Sequence, residues 1–136
     1  MQNKIQRVVI DTNLWISFLI SDKYNHLDKL LLNKKIKVIF SAELLEEFTA
    51  VVFRPKFRKY FNETEIDHLL THLSTHSEFV KVKSKTNICR DLKDNFLLSL
   101  CEDGKVDYLI TGDEDLLILK KYKRTSILRI SDYFKL

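Results

Sequence analysis

The sequence predicts an α/β protein: a three-layer α/β/α sandwich around a central, mainly parallel sheet. Short β-branched runs alternate with segments of helical spacing along the 136 residues, which is the order typical of parallel strands joined by helical crossovers. Only two glycines and one proline are present, so flexible linkers and low-complexity segments are excluded. We therefore expect one domain over residues 1–136.

The candidate strands are five short apolar runs. They are residues 7–10, 37–40, 79–82, 106–110 and 126–130. Each is bounded by polar residues and has the length of an ordinary strand. A five-stranded sheet is the resulting prediction.

The segments between the strands carry helical signals. Apolar side chains recur at helical spacing in 62–77, and Asn62 with Glu65 resembles a capping box at the start of that helix. Residues 95–104 predict a second helix, closed by Gly104 in the left-handed conformation.

Composition and charge restrict the function classes. The chain is 45% hydrophobic and 31% charged, and its net charge is +4. No apolar run reaches the roughly 18 residues of a membrane span, so we expect a soluble cytoplasmic protein with reduced thiols. If carboxylates gather in one pocket, the remaining surface is more basic than +4 suggests, which suits a polyanion such as RNA or DNA.

Acidic residues follow two of the predicted strands. Asp11 ends the first strand, and Asp113 comes just after the fourth. Ligands of open parallel sheets bind outside the carboxyl ends of the strands. These two acids are therefore expected at one functional edge.

A third acid is selected by its angle on a helix. Ser41 is a good N-cap, and the helix that it begins must stop before Pro55. At about 100° per residue, Glu46 lies opposite the apolar stripe of this helix, and Glu43 also points away from it. Glu47 lies at the edge of the buried face. It is the candidate for a site, while its two neighbours are expected in solvent.

Further acids precede two helices. Asp91 and Asp94 come directly before one helix, and Asp113 and Asp115 stand at a strand-to-helix turn. Each alone is explained by helix capping. Together with Asp11 they form a cluster of like charges. Their mutual repulsion costs free energy unless a cation is bound among them. Oxygen ligands without histidine or thiol favour one or two Mg²⁺ or Mn²⁺ ions.

These motifs together resemble the PIN domain, in particular the PIN proteins of bacteria and archaea that are toxins of toxin–antitoxin pairs. The matching segments are 8–17, 40–48, 54–57, 89–100 and 107–117. They occur in the order of the family and span nearly the whole chain. The resemblance implies a metal-dependent endoribonuclease, a cognate antitoxin that binds it, and a homodimer or higher homo-oligomer.

The resemblance also assigns residues. It implies that four acids bind the metal and carry catalysis: Asp11, Glu47, Asp94 and Asp113. Asp91 and Asp115 match less constant acidic positions. Small polar residues that orient the acids or the waters of the metal are Thr12, Asn13 and Thr111.

Two other enzyme classes fit less well. A haloacid-dehalogenase-type phosphatase needs a second aspartate where Asn13 stands. A response-regulator receiver needs an acid after the third strand, which here ends in a basic segment. The remaining alternative is a catalytically weak or inactive PIN-fold module that binds RNA or a protein.

Other features have more than one interpretation. In 54–61, four cations alternate with aromatic residues: Arg54, Lys56, Arg58 and Lys59. The segment is interpreted either as a surface that follows an RNA backbone or as a surface turn with its aromatic rings in the core. Residues 120–124 are interpreted as a solvated helix end, and Trp15 as core. His68, His72 and His76 line one helix face, as a polar strip or as a metal site.

Overall fold

The structure is a computed structural model that describes residues 5–20 and 32–136. Its strands are β1 (Gln6–Ile10), β2 (Ile36–Phe40), β3 (Ser77–Phe79), β4 (Tyr108–Ile110), β5 (Lys121–Tyr122) and β6 (Thr125–Leu128). They form one sheet in the order β3-β2-β1-β4-β6-β5. Every pairing is parallel except that of β5 with β6. The predicted fold class is confirmed, with six strands rather than five.

Helices flank this sheet. They are α1 (Thr12–Ile20), α2 (Ala42–Val52), α3 (Glu63–His76), α4 (Leu92–Asp103), α5 (Glu114–Leu117) and α6 (Ile130–Tyr133). Two predicted starts are confirmed. The Ser41 hydroxyl accepts a hydrogen bond of 3.0 Å from the Leu44 amide, and Asn62 and Glu65 form the reciprocal capping box.

The order of the strands reverses at β1, in the middle of the sheet. β1 lies between β2 and β4, and its last three residues are buried. The chain continues from β1 to β2 on one side and later reaches β4 on the other side. A crevice opens at such a switch point, outside the carboxyl ends of the strands. Asp11 and Thr111 follow β1 and β4 there.

Aromatic packing anchors α1 and α2 beside this crevice. Trp15 is fully buried, and its ring centroid lies 5.9 Å from that of Phe40 and 6.4 Å from that of Phe48. The core role predicted for Trp15 is confirmed. Its burial fixes the helix that begins directly after Asp11.

Two strand predictions need correction. The third strand was expected at 79–82, but β3 begins at Ser77, directly after the last residue of α3. The predicted helix end at 120–124 is wrong: β5 lies there and forms a hairpin with β6. Lys120 and Lys123 take positive φ angles of 61° and 52°, so lysines occupy turn positions that glycine usually marks.

The expected left-handed conformation of Gly104 is also wrong. Gly104 has a φ of −85°, and the following Lys105 takes the positive φ of 51°. Glycine is needed for space instead. A Cβ at this position would lie 2.9 Å from the Leu100 carbonyl oxygen and 3.0 Å from Ile39 Cγ2. The close approach lets the end of α4 pack against β2.

Two remaining expectations concern membranes and thiols. Within residues 5–20 and 32–136, no helix combines the length and apolar character that a membrane crossing needs. Cys89 and Cys101 are both free, and Cys101 is buried. Burial and the nearby carboxylates raise the pKa of Cys89, which keeps it a thiol.

Candidate metal centre

Asp11 stands at the floor of the crevice, in the first position after β1. Its Oδ2 accepts a hydrogen bond of 2.8 Å from the Thr111 hydroxyl, and its Oδ1 accepts one of 3.3 Å from the Asn13 amide. Burial raises the pKa of Asp11, although both hydrogen bonds act in the opposite direction. The adjoining strand and helix thus hold this carboxylate in one orientation.

Asp94 is the most buried of the acids, with 4% of its surface exposed. It lies in the first turn of α4, and its Oδ2 has no hydrogen-bond partner among the described residues. Burial, followed by the charges of Asp113 and Asp91, raises the pKa of Asp94 to about 7. An unpartnered buried carboxylate oxygen is costly unless a cation reaches it.

Asp113 adjoins Asp94 from the other side of the crevice. It caps α5, where its Oδ1 accepts a hydrogen bond of 2.8 Å from the Asp115 amide. Its own amide donates to the Thr111 hydroxyl at 3.0 Å. Asp94, Asp113 and Asp115 each offer an oxygen within 4.8 Å of the others. Asp115, which matches a less constant acidic position of the family, therefore belongs to this group of close carboxylates.

The negative charge of Asp115 is also paired with a cation outside this group of acids. The Arg90 guanidinium donates to both of its carboxylate oxygens at 3.0 Å. Asp91 caps α4 by accepting a hydrogen bond of 2.8 Å from the Lys93 amide. The capping role considered for Asp91 is therefore present, and its carboxylate also borders the cleft.

Glu47 faces these acids from the opposite wall. It lies on α2, its side chain is 34% exposed, and its Oε1 is 3.5 Å from the Lys93 ammonium. Glu47 lines the cleft and Glu46 does not, in agreement with the helix angle. Glu43 also lines it, and its side chain is exposed there, as the same angle predicts. The spacing of four residues between Glu43 and Glu47 was the available signal.

The crevice is an open cleft of about 500 Å³. In the part of the chain that the structure describes, six carboxylates line it: Asp11, Glu43, Glu47, Asp91, Asp94 and Asp113. Thr12 and Asn13 line it as well. The donor set consists of carboxylate, hydroxyl and amide oxygens, and two buried oxygens of lining residues, Thr12 Oγ1 and Asp94 Oδ2, lack a partner among the described residues. These residues fit a hard divalent cation such as Mg²⁺ or Mn²⁺.

Comparisons with known proteins identify the family. A model of the PIN domain matches residues 7–115, a range that contains every acid described above. The chain belongs to the PIN-domain family. PIN domains are generally nucleases, so a nuclease-type fold surrounds this cleft.

Two individual proteins are similar to this PIN domain. The uncharacterized protein MJ1680 of Methanocaldococcus jannaschii is 36% identical over 117 residues, which cover 84% of this chain and 75% of that protein. The crystal structure of PAE2754 from Pyrobaculum aerophilum is similar in fold, with a TM-score of 0.61. The alignment of the two covers 99% of this chain and 92% of the PAE2754 chain, at 12% sequence identity.

Basic side chains border one side of the cleft of this PIN domain. Arg54 and Lys56 line it, but Arg58 borders a separate surface depression beyond α2. The Lys59 ammonium lies 5.2 Å from the centroid of the Tyr60 ring. The structure therefore brings two of the four predicted cations to the acids. Lys93, which sequence reasoning missed, is a third cation on the cleft.

The histidines lie apart from the acids. His68, His72 and His76 line an open groove along α3, and the ring centroids of His72 and His76 are 4.5 Å apart. In the described part of the chain, no histidine joins a group of three ligand atoms within 4.8 Å. The interpretation of these histidines as a polar strip stays a prediction, with a metal site as the alternative.

Proposed function

We propose that this PIN domain is a divalent-metal-dependent endoribonuclease that hydrolyses RNA phosphodiester bonds. The proposal rests above all on the Asp94 carboxylate. It is buried, one of its oxygens lacks a partner among the described residues, and other acids surround it at the switch point of the sheet. This arrangement costs free energy in the metal-free protein, and a bound cation would offset that cost.

The residues of the cleft have separate roles in this mechanism. Asp11 and Asp113 are oriented by Thr111 and by backbone amides, so both present fixed oxygens. With Asp94 and Glu47 they would hold one or two Mg²⁺ or Mn²⁺ ions. Such an ion neutralises charge on a phosphodiester oxygen and lowers the pKa of a bound water.

Asp94 must give up a proton when it becomes a ligand. Its pKa of about 7 means that the metal-free protein holds this proton for part of the time at neutral pH. Ligand carboxylates act in the ionised form, so binding releases the proton to solvent. Metal affinity should therefore decrease as the pH falls below 7.

The rim of the cleft supports a polyanionic substrate. Arg54 and Lys56 approach the acids from the turn after α2, and Lys93 does so from α4. Cations in these places can bind the phosphates on either side of the bond that is cut. The choice of RNA as the substrate comes from the resemblance to PIN-domain toxins.

Cleavage of a structured RNA tests the proposal. Wild-type protein should cut it with Mn²⁺ or Mg²⁺ and not with EDTA. Asp11→Asn should lose at least about a hundredfold in rate, because an ion ligand with fixed orientation is neutralised. Asp67→Asn is the matched control, since Asp67 is an exposed acid of α3 that does not line the cleft.

Equal cutting by wild type and Asp11→Asn would contradict the site assignment. If both are inactive but bind RNA or a protein, the alternative is favoured: a PIN-fold interaction module without turnover. Circular dichroism of the variant checks that the fold is kept.

A toxin role is part of the same proposal, supported by the resemblance alone. It predicts that expression of the wild-type chain arrests bacterial growth and that Asp11→Asn does not. It also predicts a cognate antitoxin encoded beside this chain, and a homodimer or higher homo-oligomer. Co-expression with the neighbouring gene and sedimentation analysis test these partners.

A further inference from the structure

Lys93 is a cation held among the acids of the cleft. It is the second residue of α4, between the cap Asp91 and the buried Asp94. The hydrogen bond from its amide to Asp91 Oδ1, 2.8 Å long, fixes the backbone there. Its side chain extends across the cleft towards α2, where its ammonium pairs with Glu47 at 3.5 Å.

The pair between Lys93 and Glu47 is easily exchanged. The Lys93 side chain is 69% exposed, and the distance of 3.5 Å is long for a charged hydrogen bond. Exposed ion pairs of this kind contribute little to stability. The ammonium is thus free to take another partner when one is offered.

The other two cations of the cleft differ from Lys93. Arg54 and Lys56 come from the turn beyond α2, and the Lys56 ammonium lies 5.1 Å from the centroid of the Phe57 ring. The structure pairs neither of them with a carboxylate in the described residues. Of the three cations on the cleft, Lys93 is the one that holds a proposed metal ligand.

We propose that Lys93 exchanges partners, from Glu47 in the metal-free protein to a substrate phosphate in the loaded one. This inference rests on the proposed function, because it takes Glu47 as a metal ligand and RNA as the substrate. It makes Lys93 a phosphate-binding residue whose first partner is a carboxylate of the metal centre.

Charge is the reason for the exchange. Among the described residues, six carboxylates line the cleft against three cations, so a phosphodiester is repelled while no metal ion is bound. When Glu47 turns its oxygen to a divalent cation, the Lys93 ammonium loses its partner and faces a like charge. Its flexible four-carbon stem then lets it move to the incoming phosphate.

The test measures metal binding and RNA binding separately. Mn²⁺ is titrated calorimetrically into metal-free wild type, Lys93→Gln and Lys56→Gln. Binding of a labelled RNA is then measured against salt concentration in Ca²⁺, with the RNA checked on a gel to be intact. Lys56→Gln is the matched control, because it removes one cleft cation that holds no carboxylate.

Lys93→Gln should bind Mn²⁺ about three- to fivefold more tightly than wild type, because a competitor for Glu47 is gone. Lys56→Gln should stay within about twofold of wild type. Both variants should bind RNA more weakly, each with a salt slope smaller by about one. All three parts follow from the exchange.

Unchanged or weaker Mn²⁺ binding by Lys93→Gln, or an equal gain in both variants, would overturn the exchange. An unchanged salt slope for Lys93→Gln would overturn its phosphate contact. Failure of the proposed function looks different, since wild type would then show no Mn²⁺ binding at the cleft.

Discussion

Asp94 couples the chemistry of the site to the stability of the fold. In the metal-free protein its carboxyl has a pKa of about 7, against an ordinary value of 3.8. Between these values the folded state keeps a proton that the unfolded state has lost. The free energy of unfolding therefore decreases as the pH rises through this range. Above pH 7 the folded state carries the full cost of the ionised Asp94 carboxylate.

Asp94→Asn should accordingly stabilise the metal-free protein. We expect the free energy of unfolding to rise by about 1–2 kcal/mol at pH 8, less than the full pKa shift implies because water reaches the open side of the cleft. The gain should shrink at pH 5. Urea denaturation in EDTA at both pH values measures it, and a variant less stable than wild type at pH 8 would contradict the electrostatic account.

Glu47 and Glu46 offer a matched pair of neighbouring acids. Glu47 lines the cleft beside Lys93, and Glu46 is exposed away from it. Glu47→Gln should slow metal-dependent RNA cleavage by at least about tenfold, whereas Glu46→Gln should stay within about twofold of wild type. Rates are compared at saturating Mn²⁺. Equal losses in the two variants would mean that general acidity of α2, and not the position of Glu47, matters.

At the scale of elements, spacing predicted the helices better than the edge of the sheet. The caps at Ser41 and Asn62 are local hydrogen bonds, so the sequence contains them fully. β3 is an edge strand of three residues in which Glu78 pairs with Arg7, so no buried apolar run marks it. The apolar residues of 79–82 predict a strand that overlaps β3 only at Phe79.

Residues 120–124 were misassigned for a similar reason. The hairpin turns at Lys123, and Lys120 lies just before β5; both adopt positive φ without being glycine or asparagine. The Tyr122 hydroxyl lies 3.1 Å from the Thr86 hydroxyl, a contact between residues far apart in the chain. Tertiary contacts of this kind override local propensity, and sequence spacing does not contain them.

Gly104 gives a prediction about how α4 is held against the sheet. Gly104→Ala should lower the free energy of unfolding by about 1–3 kcal/mol, because the new methyl group meets the Leu100 carbonyl and Ile39. Gly112→Ala is the control, since a Cβ there has no atom of the described residues within 4 Å. Urea denaturation of both variants compares them. Equal stabilities would show that the end of α4 adjusts freely.

At the scale of the molecule, topology brings the acids together and charge surrounds them. The parallel direction of the strands was enough to predict that Asp11 and Asp113 lie at one edge, because the carboxyl ends of parallel strands share it. The contributions of Glu43, Lys93 and Asp115 depend on distances between α2, α4 and α5. Such distances are set by packing and are not contained in sequence spacing.

The charge distribution agrees with a polyanionic substrate. Within the described residues, six acids line the cleft, so the surface outside it is more basic than the net charge of +4 suggests. Long-range attraction can then bring a nucleic acid to the surface while the cleft itself excludes it. Under the proposed function, a divalent cation held by these acids would remove that exclusion and would link the metal centre to substrate access.

The most direct test of the central claim is anomalous X-ray scattering from crystals of the protein soaked in Mn²⁺. The account predicts a manganese peak between the carboxylates of Asp11, Asp94 and Asp113, roughly 2–2.5 Å from their oxygens, and its loss in Asp94→Asn crystals. Mn²⁺ bound elsewhere, or no peak in the cleft at millimolar concentration, would contradict the metal centre on which the proposed nuclease activity depends.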